Sequence, residues 1–242
     1  MKYGSRLIAI LSFSLLLACA SHKANYQEAS LTLPELGSIV QAKGKLWYAT
    51  TEQVGKPIWD ENLVVTVQEL PFNKASYVTY ASFMANAGKI NGIPYVDSLP
   101  YKPKYIRLQL LDKIGTTAVL NNKANTNVRE YLENDEAYKL VTHIDMSVPD
   151  AMIPELLGAN RILLVEDAQL GKHLVLTRGI QESKINLADV QIFNYGLSSF
   201  CWGEDRYHNK KIETILSGNS SCPKGTFKKA AKVTSDKSYL KF

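Results

Sequence analysis

The last third of the chain contains five short segments rich in β-forming residues, at 161–169, 172–179, 188–202, 210–218 and 227–233, joined by brief polar loops. A parallel pair of strands needs a crossover of a dozen or more residues, which these loops cannot supply. The spacing therefore requires antiparallel pairing. Residues 37–50 and 61–70 read the same way, the second placing Leu63, Val65 and Val67 on one face. Residues 105–120 read as strand, with Ile106, Leu108 and Leu110 together. Residues 138–148 alternate so that Leu140, Thr142, Ile144 and Met146 share a side.

Helices are fewer. Residues 73–88 suit a helix from an Asn73 cap to a Gly88 stop, although their aromatic and β-branched content also suits a strand. Residues 125–135 read as a short helix. So do residues 147–160, with Ser147 as cap, Pro149 in the first turn, Gly158 as stop and a break expected at Pro154. Between them, residues 92–105 hold three X-Pro steps, which hold the backbone extended. The expectation is a mainly β (α+β) fold: an antiparallel β-sandwich or strongly bent sheet with two or three short helices. It forms one globular domain over 36–242, with a division near residue 148 left open.

The amino terminus speaks of location. Lys2 and Arg6 precede an apolar run from Leu7 to Leu17, too short to span a bilayer, and Leu16-Leu17-Ala18-Cys19 follows. This stretch resembles the lipobox of bacterial lipoproteins. The resemblance covers only these residues and implies removal of a signal peptide, residues 1–18, with lipid on Cys19 and on the new amino terminus. Two or three acyl chains make a lasting anchor. A flexible tether would occupy 19–35. Among such lipoproteins, Ala20 rather than Asp after the cysteine favours the outer membrane, and the absence of acids just beyond favours its periplasmic face.

With Cys19 lipidated, Cys201 and Cys222 remain, and export to an oxidising compartment suits a disulfide between them. Two free thiols are the other reading. Charge is uneven: residues 203–242 carry nine Lys and Arg against four acids. That basic region suits anionic lipid or lipopolysaccharide phosphate, or else is a lysine-decorated edge and tail. Nucleic acid is not indicated, since no basic and aromatic pattern interleaves.

Chemistry is sparse. His143 and Asp145 would share a strand face, and His173 could join them if their strands were neighbours, as a metal or acid–base cluster. Polar residues on a wetted sheet face are the plainer reading. Glu204 and His208 stand four apart in what reads as a hairpin loop. No Gly-x-Ser-x-Gly, P-loop or dinucleotide motif occurs, and Ser221 to Lys224 and Ser238 to Lys241 match Ser-x-x-Lys without its companion motifs. No cofactor or metal is expected. Binding is better served: Tyr95, Tyr101 and Tyr105 ride the proline-stiffened segment, and Trp202 and Tyr207 flank the cysteine loop, offering rigid amphipathic area. Core-edge packing is the alternative for these aromatics.

The expected function is a non-enzymatic interaction or structural subunit of a cell-envelope assembly. A surface-exposed binder of glycan or host ligand is the rival, and an envelope hydrolase using His143, Asp145 and His173 is a third reading.

Overall fold

The computed structural model describes residues 33–45, 48–59, 63–218 and 220–233. The signal peptide, Cys19, His22, most of the tether and the Ser238 to Lys241 match lie outside the described residues. A compact unit begins at Leu33.

Ten antiparallel strands form one sheet. In chain order they are β1 (Ile39–Lys45), β2 (Tyr48–Gly55), β3 (Leu63–Pro71), β4 (Lys104–Leu110), β5 (Tyr138–Ser147), β6 (Arg161–Asp167), β7 (Gly171–Arg178), β8 (Gln181–Asn186), β9 (Gln191–Glu204) and β10 (Lys210–Ser217). Their spatial order is β10-β9-β5-β4-β3-β6-β7-β8, with β1 joining β5 and carrying β2. The fold is thus mainly antiparallel β, as expected. Strands from before and after residue 148 are hydrogen-bonded to one another, β3 to β6 and β5 to β9.

Among the described residues four α-helices accompany the sheet: α1 (Lys74–Asn86), α2 (Lys113–Asn121), α3 (Thr126–Asn134) and α4 (Ile153–Gly158). Helix α1 starts where its cap predicts. The Asn73 side chain accepts from Ser76 N and the Ser76 hydroxyl accepts from Asn73 N, each at 2.9 Å, a reciprocal box worth about 1 kcal/mol.

Three local readings change. The strand expected over 105–120 ends at Leu110, because Asp112 caps a helix by accepting from Ile114 N at 2.9 Å. Ser147 closes β5 and caps nothing; Pro149 precedes a short 3-10 turn, and α4 begins beyond it with Pro154 tolerated in its first turn. Residues 227–233 give only a bridge, Phe227 to Trp202, and a 3-10 turn.

One face of the sheet carries the main core. The register sets Val65 against Leu110, Leu108 against Ile144, Ile162 against Leu176 and Leu174 against Ile185, all buried. Leu120, Leu132 and Leu156 join them from α2, α3 and α4. Burying each such side chain contributes about 1.5–3 kcal/mol.

Two asparagines tie the helical layer to passing backbone. The Asn121 amide donates to Ile212 O at 2.7 Å and its oxygen accepts from Ile212 N at 3.0 Å. Asn125, fully buried, does the same to Ile58, at 2.9 and 2.7 Å. A carboxamide offers a donor and an acceptor side by side, so each stands in for a neighbouring strand. On β10 this closes part of an open edge.

Candidate functional site

A second, aromatic core lies on the other face of the sheet. Helix α1 supplies Tyr80 and Met84, β4 supplies Tyr105, β9 supplies Phe193, and Phe72 sits at their centre. Ring centroids are 4.9 Å from Phe72 to Tyr105, 5.5 Å to Tyr80 and 5.7 Å to Phe193. Such contacts add about 0.5–1.5 kcal/mol each beyond the area they bury. A register shift in β9 against β5 between Asp145 and Met146 leaves Phe193 unopposed, and a bulge of this kind re-aims a side chain.

The segment 89–103 lies over this cluster. Tyr95 stacks on Tyr77 of α1 at 4.5 Å, the Tyr77 hydroxyl donates to Ile93 O at 3.2 Å, and Asn91 Nδ2 donates to that hydroxyl at 2.7 Å. The Tyr95 hydroxyl donates to Asp97 at 2.6 Å, which pushes the phenol up to about 12 and holds the Asp97 carboxyl below its usual range. Leu99 N closes a turn onto Val96 O at 3.2 Å. With both ends tied, the segment turns apolar side chains outward. Ile90 is 91% exposed and Tyr101 90%, with Val96 and Leu99 about half exposed. These exposed apolar groups on a braced loop make the segment the candidate contact surface.

Of the five aromatics expected at a binding surface, Tyr101 and Tyr207 are exposed and Tyr95 is half-buried. Tyr105 and Trp202 are buried and are corrected to core residues. Their strands alternate between two covered faces, so an aromatic near a loop still points inward. Ile90, Val96 and Leu99 were missed because isolated aliphatic residues in a loop carry no periodic signal.

Cys201 and Cys222 form the disulfide, with Cα atoms 5.7 Å apart. It ties the segment after β10 back to β9, where Trp202 and Phe227 exchange backbone hydrogen bonds at 2.7 and 2.9 Å. At the tip of the β9–β10 hairpin, Asp205 accepts from Tyr207 N and Asn209 N, both at 2.8 Å. His208 Nδ1 is 3.2 Å from Glu204, and Arg206 lies 4.7 Å above the Tyr207 ring. The basic region is partly neutralised: Lys229 pairs with Glu136, Lys210 with Glu133 and Lys211 with Glu213, at 3.3, 3.8 and 3.1 Å.

His143, Asp145 and His173 do not come together. β5 and β7 are four strand steps apart, each step ~4.8 Å. Asp145 is buried rather than wetted and is fully used by its neighbours. Arg107 donates from Nε and Nη2 to its two oxygens at 2.7 and 3.0 Å, and Asn194 donates at 2.9 Å. His143 packs on Gly196, where a Cβ would lie 1.8 Å from Cε1, and burial followed by the Arg107 charge pushes its pKa down. His173 is buried with Nδ1 3.2 Å from Gly171 O. The expectation of three polar residues on a wetted face is corrected to two buried groups and one half-buried ring. Among the described residues no group of three His, Cys, Asp or Glu could hold a metal ion, and no helix is long and apolar enough to cross a membrane.

Comparisons with family models, curated proteins and solved structures return no match.

Proposed function

We propose that this chain is a lipid-anchored outer-membrane lipoprotein, facing the periplasm, that serves as a non-enzymatic interaction subunit of a cell-envelope assembly. The anchor is Cys19 and the contact surface is the loop 89–103. The observation that carries the reading is the outward set Ile90, Val96, Leu99 and Tyr101 on a base braced by stacked tyrosines. Pre-bracing lowers the entropy lost on binding, which is the principal cost of using a loop as a contact. The basic C-terminal region is a secondary contact for anionic headgroups or lipopolysaccharide phosphate, through exposed lysines such as Lys224 and Lys228.

Two measurements test this. Radiolabelled palmitate should enter the wild-type protein and not Cys19→Ala, which should leave the membrane fraction. A photo-crosslinking residue at position 101 should capture one discrete envelope protein, whereas the same probe at Lys113 should not. Label that fails to enter removes the anchor. A crosslink pattern identical at the two positions removes the surface.

The exposed rings of Tyr101 and Tyr207 favour a second reading, a glycan- or host-ligand-binding lipoprotein on the cell surface. Protease treatment of intact cells separates the two: cleavage supports the surface binder and protection supports the periplasmic subunit.

A further inference from the structure

The margin of the sheet opposite α1 holds a pocket of about 210 Å³, between the start of β1, the segment after β2 and strands β3, β6 and β7. Leu36, Pro57, Trp59, Leu63 and Leu164 supply its apolar lining. Lys56, Glu166 and Lys172 line its charged mouth. Gly37, at φ +81°, lets the chain pass close over the indole; a Cβ there would lie 2.7 Å from Leu63 and 3.3 Å from Trp59 Nε1. That Nε1–H is buried with no acceptor among the described residues.

The charges are arranged in an informative way. Glu166 and Lys172 are directly opposite in the β6–β7 register, a position from which Glu and Lys ordinarily pair with each other. Here they splay apart. Lys56 bonds Glu166 and also lies 3.7 Å from Glu35, and Lys172 bonds Glu35, giving the chain Glu166, Lys56, Glu35, Lys172. The two ends of that chain are a carboxylate and an ammonium, both at the pocket mouth. Each is engaged by a single partner of opposite charge among the described residues, while a carboxylate has about four acceptor sites and an ammonium three donors. Burial pushes the Lys172 amine below the ordinary lysine value, so an added anion would relieve it.

We infer that this pocket binds a small apolar zwitterion of the α-amino acid class. The ligand's ammonium meets Glu166, its carboxylate meets Lys172, and its side chain rests on Trp59 and Leu164. The volume restricts the ligand to about one residue, since sites for drug-sized molecules run to ~300–1,000 Å³. A rim of both signs favours a ligand carrying both, because a singly charged ligand gives a second partner to only one of Glu166 and Lys172.

Isothermal titration of the full chain in detergent, with L-leucine, leucinamide and N-acetylleucine as probes, tests this. Leucine should bind saturably, and each singly charged analogue should bind at least tenfold more weakly. Lys172→Gln should lose at least tenfold toward leucine and N-acetylleucine while leaving leucinamide unchanged. Glu166→Gln should lose the same toward leucine and leucinamide and leave N-acetylleucine unchanged. Thermal melts of both variants establish that the fold persists, and should one melt early the analogue comparison on wild-type protein stands alone. Absence of saturable heat with leucine, equal binding of the three probes, or tighter binding of methyl glucoside overturns the inference.

Discussion

The molecule holds two segments against its sheet by opposite means. The loop 89–103 is held by aromatic packing and side-chain hydrogen bonds, with Phe72 at the hub and Tyr77, Tyr95 and Asn91 as ties. The segment after β10 is held by the Cys201–Cys222 bond and the Trp202–Phe227 bridge, with Ala230 and Val233 buried beneath it. Their outer surfaces differ accordingly. The first turns the Tyr95 ring inward and leaves Ile90, Val96, Leu99 and Tyr101 exposed. The second adds a covalent bond, which lowers the entropy of the unfolded chain, to the burial of Ala230 and Val233, and its exposed side is lysine-rich. A packed loop is thus free to present apolar groups to a partner, and a bonded one to present charge.

The difference can be broken from either side. Phe72→Ala removes the hub of the aromatic cluster and should cost roughly 3–5 kcal/mol by urea denaturation, with amide exchange rising first across 72–105 and the cystine segment keeping its protection. Cys201→Ala with Cys222→Ala should cost ~3 kcal/mol for a link spanning 21 residues, with the reverse exchange pattern. If either variant loosens both segments equally, the two are not independent. Asn121→Ala leaves the Ile212 N–H and C=O without their partner and should cost about 1–2 kcal/mol, seen as faster exchange in β10.

Smaller effects sharpen the contrast. Burial holds the His143 imidazole below its ordinary 6.5, so the unfolded chain takes up that proton first. Its contribution to stability is fully present above pH 6.5 and declines as pH falls from there through the lower folded value. His143→Gln should flatten that limb of a stability–pH profile while leaving stability at pH 8 nearly unchanged. Tyr101→Ser should change unfolding free energy by less than ~0.5 kcal/mol, as expected for a ring in water, yet abolish partner capture by the same photo-crosslinking probe placed at Val96.

Much of the fold is legible in the residues. Alternation at Leu63, Val65 and Val67 and at Ile106, Leu108 and Leu110 marks the core face, because a strand's period of two is a local property. The Asn73 cap and the Gly88 stop do the same for α1. The Asp112 cap was equally local but lay hidden in an apolar run that reads as continued strand. The site was less legible. Tyr105 and Tyr101 are four residues apart on the same stiff segment, and one is core while the other is in water. That split depends on Phe72 and Phe193 meeting Tyr105 over the sheet, which no spacing encodes.

By itself the sequence pointed to antiparallel pairing, through loops too short for crossovers, and left Cys201 and Cys222 as either a bonded pair or two thiols, which the structure resolves as a disulfide. Tertiary structure decided which aromatics face out, that Asp145 answers to Arg107 and Asn194 rather than to His173, and that Glu166 and Lys172 stand apart at a pocket mouth. The physical reason is range. Turn length, capping and alternation are set by neighbours along the chain, whereas exposure and ion pairing are set by strand order and register, which bring together residues far apart in sequence.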